Sequence, residues 1–231
     1  MSKGIFGLGC SFTWGEGLYF YSNLDNLPFK EYHYYDFSKI TNGMIEYKNK
    51  HRFIQLISNN FNTWCTVKNV NGSNNTSNIQ VLKRLYNKDI IQEPKYDFKL
   101  NINDYKLIVF QFTSIYRDEI EIDKLLIELD KYLKHFESKE IKVVTLTWMD
   151  EIFSSKTYQE QYLDRHVNIR VADTEKTSFE EFIHDDSLNI TVRSDYKNKN
   201  LQINDTHLNH RGNQTFANSI IKKLQQDNFK I

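Results

Sequence analysis

The chain has 231 residues, 39% of them hydrophobic and 14% aromatic, which is enough for a real core and too apolar for a disordered polymer. Lys plus Arg number 30 and Asp plus Glu number 30, so no global field draws the chain to nucleic acid or to an anionic membrane. Two cysteines, Cys10 and Cys65, are too few for a disulfide scaffold of this size, and no apolar run approaches the roughly 20 residues of a membrane span. The start, MSKGIFGLG, is too short and too glycine-rich for a signal peptide, so the expectation is a soluble, cytoplasmic protein.

Residues 4–9 (GIFGLG) read as a short buried strand ending in glycine. Residues 19–50 have no clean period, and YFYSNLDNLPFKEYHYYDF is rich in Tyr and Phe. This stretch reads as an aromatic-rich insertion, either a lid or substrate wall or a surface excursion that packs its own rings. Residues 52–61 look helical, 65–70 (CTVKNV) read as a second strand, and 71–78 form a polar loop running into a helix that ends near Leu85. Residues 106–112 (KLIVFQF) are the strongest strand. Between 119 and 136 the apolar residues fall at 122, 125, 126, 129, 133 and 136, the spacing of an amphipathic helix. Residues 142–148 are another buried strand. A strand near 167–172 and a helix near 179–183 follow. The last helix, from about 212 to 225, puts Phe216, Ile220, Ile221 and Leu224 on one face.

Buried strands alternating with helices predict one α/β domain over 1–231, with a parallel sheet covered by helices on both sides. In such sheets ligands bind beyond the C-terminal strand ends. Three polar loops therefore matter: 10–17, 71–75 and 111–117.

The first loop, GLGCSFTWGEGL, admits three readings. A phosphate-cradling loop needs a lysine before its Ser or Thr, and none is present. A dinucleotide turn needs a third glycine where Phe12 stands, and no acidic residue follows the second strand in the right place. A nucleophile at Ser11 needs small neighbours and a backbone N–H facing the developing oxyanion, which this loop can offer. A serine after a strand-end glycine also serves as a plain helix cap. At the other end, NDTHLNHRGNQTFA places Asp205 two residues before His207, ahead of the last helix. A serine nucleophile needs a histidine base, and the base needs a carboxylate to fix its tautomer. The neighbouring His210 fits less well, because its spacing to Asp205 is longer.

Together these blocks resemble the SGNH (GDSL-type) hydrolase family. Gly9, Cys10 and Ser11, with Gly15 after, match the opening Gly-Asp-Ser block with Cys for Asp, in the manner of a GCSFT-type branch associated with phages and bacteria. DTHLNHRG matches the DxH variant of the closing block, with Asp205 as the carboxylate. NVNGSNN supplies Gly72 at the second block. The third block, normally GxND, is FQFTSIYR here; its glycine and asparagine are missing and Thr113 aligns with the lost amide. Gln111 and Asn74 are other possible donors.

The resemblance implies a three-layer α/β/α sandwich, with a flavodoxin-like parallel sheet of about five strands. It implies Ser11 as nucleophile, His207 as base and Asp205 as its orienting carboxylate. The oxyanion hole would be made by Ser11, Gly72 and Thr113. The substrate would be a small-molecule or glycan ester such as an O-acetyl sugar, with no metal and no cofactor. Trp14, beside the nucleophile, Asn74 and Arg117 are the candidate substrate contacts; Arg117 also reads as a surface arginine at a helix start, and Trp14 as packing. An O-acyltransferase with the same triad and a binding module with a degraded third block are the two rivals. Asp185 and Asp186 read as a solvated turn, and Cys10 as a buried strand-end thiol.

Overall fold

Five consecutive residues of β1 (Gly4–Leu8) are buried, because helices cover both faces of the strand. The computed structural model describes residues 2–10, 13, 15, 18, 41–68, 73–93, 98–113, 115–118, 120–147, 150–167, 170–171, 174–175, 208 and 210–231. After β1 come α1 (Asn42–His51), α2 (Phe53–Asn60) and β2 (Cys65–Val67). Next are α3 (Asn75–Lys88) and an antiparallel pair, β3 (Ile90–Glu93) with β4 (Phe98–Asn101). β5 (Tyr105–Gln111), α4 (Ile122–Ser138) and β6 (Lys142–Leu146) complete the central frame. The short helices α5 (Asp150–Phe153) and α6 (Lys156–Gln161), the two-residue strands β7 (Arg170–Val171) and β8 (Thr174–Glu175), and α7 (His210–Gln226) follow.

The main sheet is parallel, in the order β2-β1-β5-β6. Alternation along the strands separates two cores. Phe6, Leu8, Ile108 and Phe110 face α3 and α4, whereas Ile5, Leu107, Val109 and Val144 face α2 and α7. The result is a three-layer α/β/α sandwich. From β1 the chain moves outward to β2 and then crosses back to β5, so the winding direction reverses between β1 and β5. These strands end side by side, with Leu8 opposite Phe110. A doubly wound sheet opens a crevice at this switch point.

Three differences from the sequence expectations have local causes. The end of the 19–50 stretch, from Asn42 on, is helical: α1 is opened by a Thr41 cap whose hydroxyl accepts from the Met44 N–H (3.3 Å). Only Met44 and Lys48 of α1 are buried, so it carries almost no apolar period to read. Residues 19–40, and the helix expected near 179–183, lie outside the described residues. The strand expected near 167–172 contributes one parallel bridge, His166 to Thr145, at the edge of β6. Arg170–Val171 then pair antiparallel with β8, so the sheet has four strands among the described residues. No helix among the described residues is long and apolar enough to cross a membrane.

Beside β6, Arg165 is buried, and each of its three guanidinium nitrogens donates. Its Nη1 donates to Asp130 Oδ1 (2.7 Å) and to the Gln161 carbonyl (3.0 Å); Nε and Nη2 donate to Glu137 (2.8 and 2.6 Å). Burial works against its charge, but Glu137 and Asp130 more than offset that and hold its pKa above the usual range. Lys134 takes the second Asp130 oxygen at 2.6 Å. Tyr158 and Tyr162 stack nearby, with ring centroids 5.1 Å apart and planes almost parallel.

Candidate active site

Of the residues expected to act, Ser11, Trp14, Gly72, Asp205 and His207 lie outside the described residues. Described residues flank each of them, and those beside the first and third loops meet at the switch point. Gly9 follows β1, and a Cβ there would stand 2.1 Å from Thr13 Oγ1 and 2.8 Å from Gln111 Cβ. Only glycine allows that approach. Cys10 is buried and accepts from Gln111 Nε2 at 3.8 Å, while the Thr13 hydroxyl donates to Gln111 Oε1. Both ends of the Gln111 amide are thus spent on holding the first loop against β5. Asn78, from α3, donates its amide to the Gly9 carbonyl (2.9 Å).

Beyond β5 the chain bends through Thr113 into a 3₁₀ turn, Ile115–Arg117. Thr113 is fully buried, and its hydroxyl has no hydrogen-bond partner among the described residues. Its backbone, in contrast, is held at both polar atoms by Asn75 (2.8 and 3.0 Å). Asn74 caps α3: Oδ1 accepts from the Ser77 N–H (2.8 Å), and Nδ2 donates to the Arg117 carbonyl (3.0 Å). Of the three donors open from sequence, Gln111 and Asn74 each already give one amide hydrogen, to Cys10 and to the Arg117 carbonyl. The Thr113 hydroxyl has a hydrogen to give. The Arg117 side chain is exposed, and so is Tyr116, whose hydroxyl donates to Glu151 Oε1 at 3.0 Å.

The closing block is anchored from its far side. Asn213, in the first turns of α7, donates to the Leu208 carbonyl (3.1 Å) and accepts from the Phe53 N–H (3.0 Å). The chain just past His207 is therefore tied to the start of α2. His210 is engaged with α1: its Nδ1 lies 3.5 Å from the Tyr47 hydroxyl, and its ring packs 4.7 Å from that of His51. Burial, then His210, then Lys50 lower the His51 pKa.

Sequence reading passed over Asn75, Asn78 and Asp118, which do most of the holding. The available signal was NNTSN, with two asparagines one helical turn apart on a face that otherwise packs inward.

No protein-family model and no curated protein sequence matches the chain. Solved structures do. The psychrotrophic esterase EstA from Pseudoalteromonas sp., in a structure inhibited by monoethylphosphonate, aligns over 97% of this chain and 98% of that one, at 8% identity and TM-score 0.53. A family two carbohydrate esterase from Clostridium thermocellum, in complex with cellohexaose, aligns over 97% of this chain and 64% of that one, at 10% identity and TM-score 0.55. At such identities the likeness is one of fold. The fold is the α/β/α sandwich of the SGNH hydrolases.

Proposed function

We propose that the chain is a serine esterase of the SGNH type, acting on a small ester such as an O-acetyl group on a carbohydrate. Ser11 attacks the acyl carbonyl. His207 takes the serine proton and returns it to the departing alcohol, and Asp205 holds His207 in the required tautomer. Water, activated by His207, then releases the acid from the acyl-enzyme. The N–H groups of Ser11 and Gly72 and the Thr113 hydroxyl receive the oxyanion. Trp14, Asn74 and Arg117 border the substrate.

The observation that carries this reading is the Thr113 hydroxyl. It is buried and uncommitted at the exit of β5, the place where the family puts its third-block amide. A buried hydroxyl without a partner costs about 1–3 kcal/mol, and an oxyanion donor is a use that offsets this cost. The esterases of like fold, one of them a carbohydrate esterase seen with cellohexaose, support the reaction class and the sugar.

Intact-mass labelling with a fluorophosphonate tests the reading. Wild type should gain one adduct, and Ser11→Ala and His207→Ala should gain none. Acetate release from acetylated sugars should follow the same pattern. Folded wild-type protein that takes no label would overturn the proposal.

A further inference from the structure

Asn75 and Asn78 stand one turn apart on α3, both buried, and each reaches a different side of the switch point. Asn78 holds the β1 side through the Gly9 carbonyl, two residues before Ser11. Asn75 holds the β5 side by accepting from the Thr113 N–H (2.8 Å) and donating to the Thr113 carbonyl (3.0 Å). That pair of bonds requires one orientation of the Asn75 amide.

Asp118 enforces the orientation. One carboxylate oxygen accepts from Asn75 Nδ2 (2.8 Å) and from the Asn75 N–H (3.2 Å); the other accepts from the Thr76 N–H (2.8 Å) and hydroxyl (2.7 Å). A carboxylate accepts only, so it draws the NH₂ end of Asn75 and turns Oδ1 toward Thr113. Asp118 shares the cap of α3 with Asn74, which takes the Ser77 N–H while Asp118 takes those of Asn75 and Thr76; its bond to Asn75 Nδ2 is the one that capping does not require. Packing alone does not explain the asparagines, because apolar side chains would fill the same face without any hydrogen bonds to satisfy.

We infer that Asn75, oriented by Asp118, and Asn78 are positioning residues for the oxyanion hole. Through α3 they tie the Gly9 carbonyl, two residues before Ser11, to the Thr113 backbone, and so fix the β1 exit relative to the segment bearing Thr113. Neither asparagine touches the substrate. The inference rests on the esterase reading of Ser11 and Thr113. A displacement of about 1 Å between catalytic groups costs on the order of 10²-fold in rate, which sets the size of the effect.

The test is p-nitrophenyl acetate hydrolysis by the full chain, with rates normalised to active sites titrated to completion with a fluorophosphonate. The variants are Asn75→Ala, Asn78→Ala and Asp118→Asn. Asp118→Asn keeps shape but turns an acceptor into a donor facing donors, and it guards against loss of folding in the buried Asn75→Ala. Each folded variant should lose about 10–100-fold in kcat per titrated site, with KM within about twofold of wild type. A merely structural role would lower the number of titrated sites and leave kcat per site unchanged; that result in Asp118→Asn and Asn78→Ala overturns the inference alone. Wild type that neither labels nor turns over overturns the esterase reading and the positioning role with it.

Discussion

Two buried polar clusters lie on this sheet, and they are built to different rules. Around Arg165 every strong donor has an acceptor: three guanidinium nitrogens meet Asp130, Glu137 and the Gln161 carbonyl. Around Thr113 the backbone is held as firmly, yet the hydroxyl at its centre is left uncommitted among the described residues. The first cluster joins α4 to the segment after α6, and the group beside it that has no partner among the described residues, Gln161 Oε1, is an acceptor rather than a donor. The second spends its hydrogen bonds on holding still a group that it does not use. On the proposed reading, the cluster whose donors are all taken is structural, and the one with a withheld donor in a rigid frame is the working one.

The contrast breaks most sharply at Arg165. Arg165→Ala would leave the Asp130 and Glu137 carboxylates without their shared partner, and should cost about 3–5 kcal/mol of stability in urea unfolding. Turnover per titrated active site should stay within twofold of wild type. A fall in turnover per site would place that cluster within the working machinery.

Thr113→Val is the opposite case. It keeps shape and removes only the hydroxyl, so kcat should fall about 10²–10³-fold, the usual loss for one oxyanion donor. Because the lost hydroxyl is buried without a partner, thermal stability should hold or rise, by about 2–4 °C for each 1 kcal/mol. Parallel loss of stability and activity would assign Thr113 to the structural class.

Asp227 gives the smallest effect. It pairs with Lys142 (2.6 Å) and Lys223 (3.1 Å) at the end of α7. Burial pushes its carboxyl up, but the two lysines outweigh burial and hold it below the usual carboxylate range. A carboxyl depressed by folding stabilises above its unfolded pKa, and that stability is lost as the pH falls through the folded value. Asp227→Asn should therefore cost about 1 kcal/mol between pH 5 and 8, and the gap to wild type should close below about pH 4. A gap that persists in acid would assign the effect to packing.

Periodicity by itself determined the frame of this protein. The apolar run of β5, the spacing of α4 and the stripe of α7 all read correctly, because burying a strand on two faces or a helix on one leaves a pattern in local sequence. The pattern failed where burial is slight or pairing is non-local. α1 buries only Met44 and Lys48, and β3 and β4 are defined by each other. Of the candidate site, the sequence pointed to Thr113 through its alignment with a missing asparagine, with Gln111 and Asn74 as substitutes. The tertiary structure adds what each of them already meets, which local sequence does not carry. Gln111 meets Cys10, Asn74 meets Arg117, and both partners are far away in the chain. The roles of Asn75, Asn78 and Asp118 were hidden for the same reason. A side chain's hydrogen-bond partners are set by which strand ends lie side by side, and that is a property of the fold's winding.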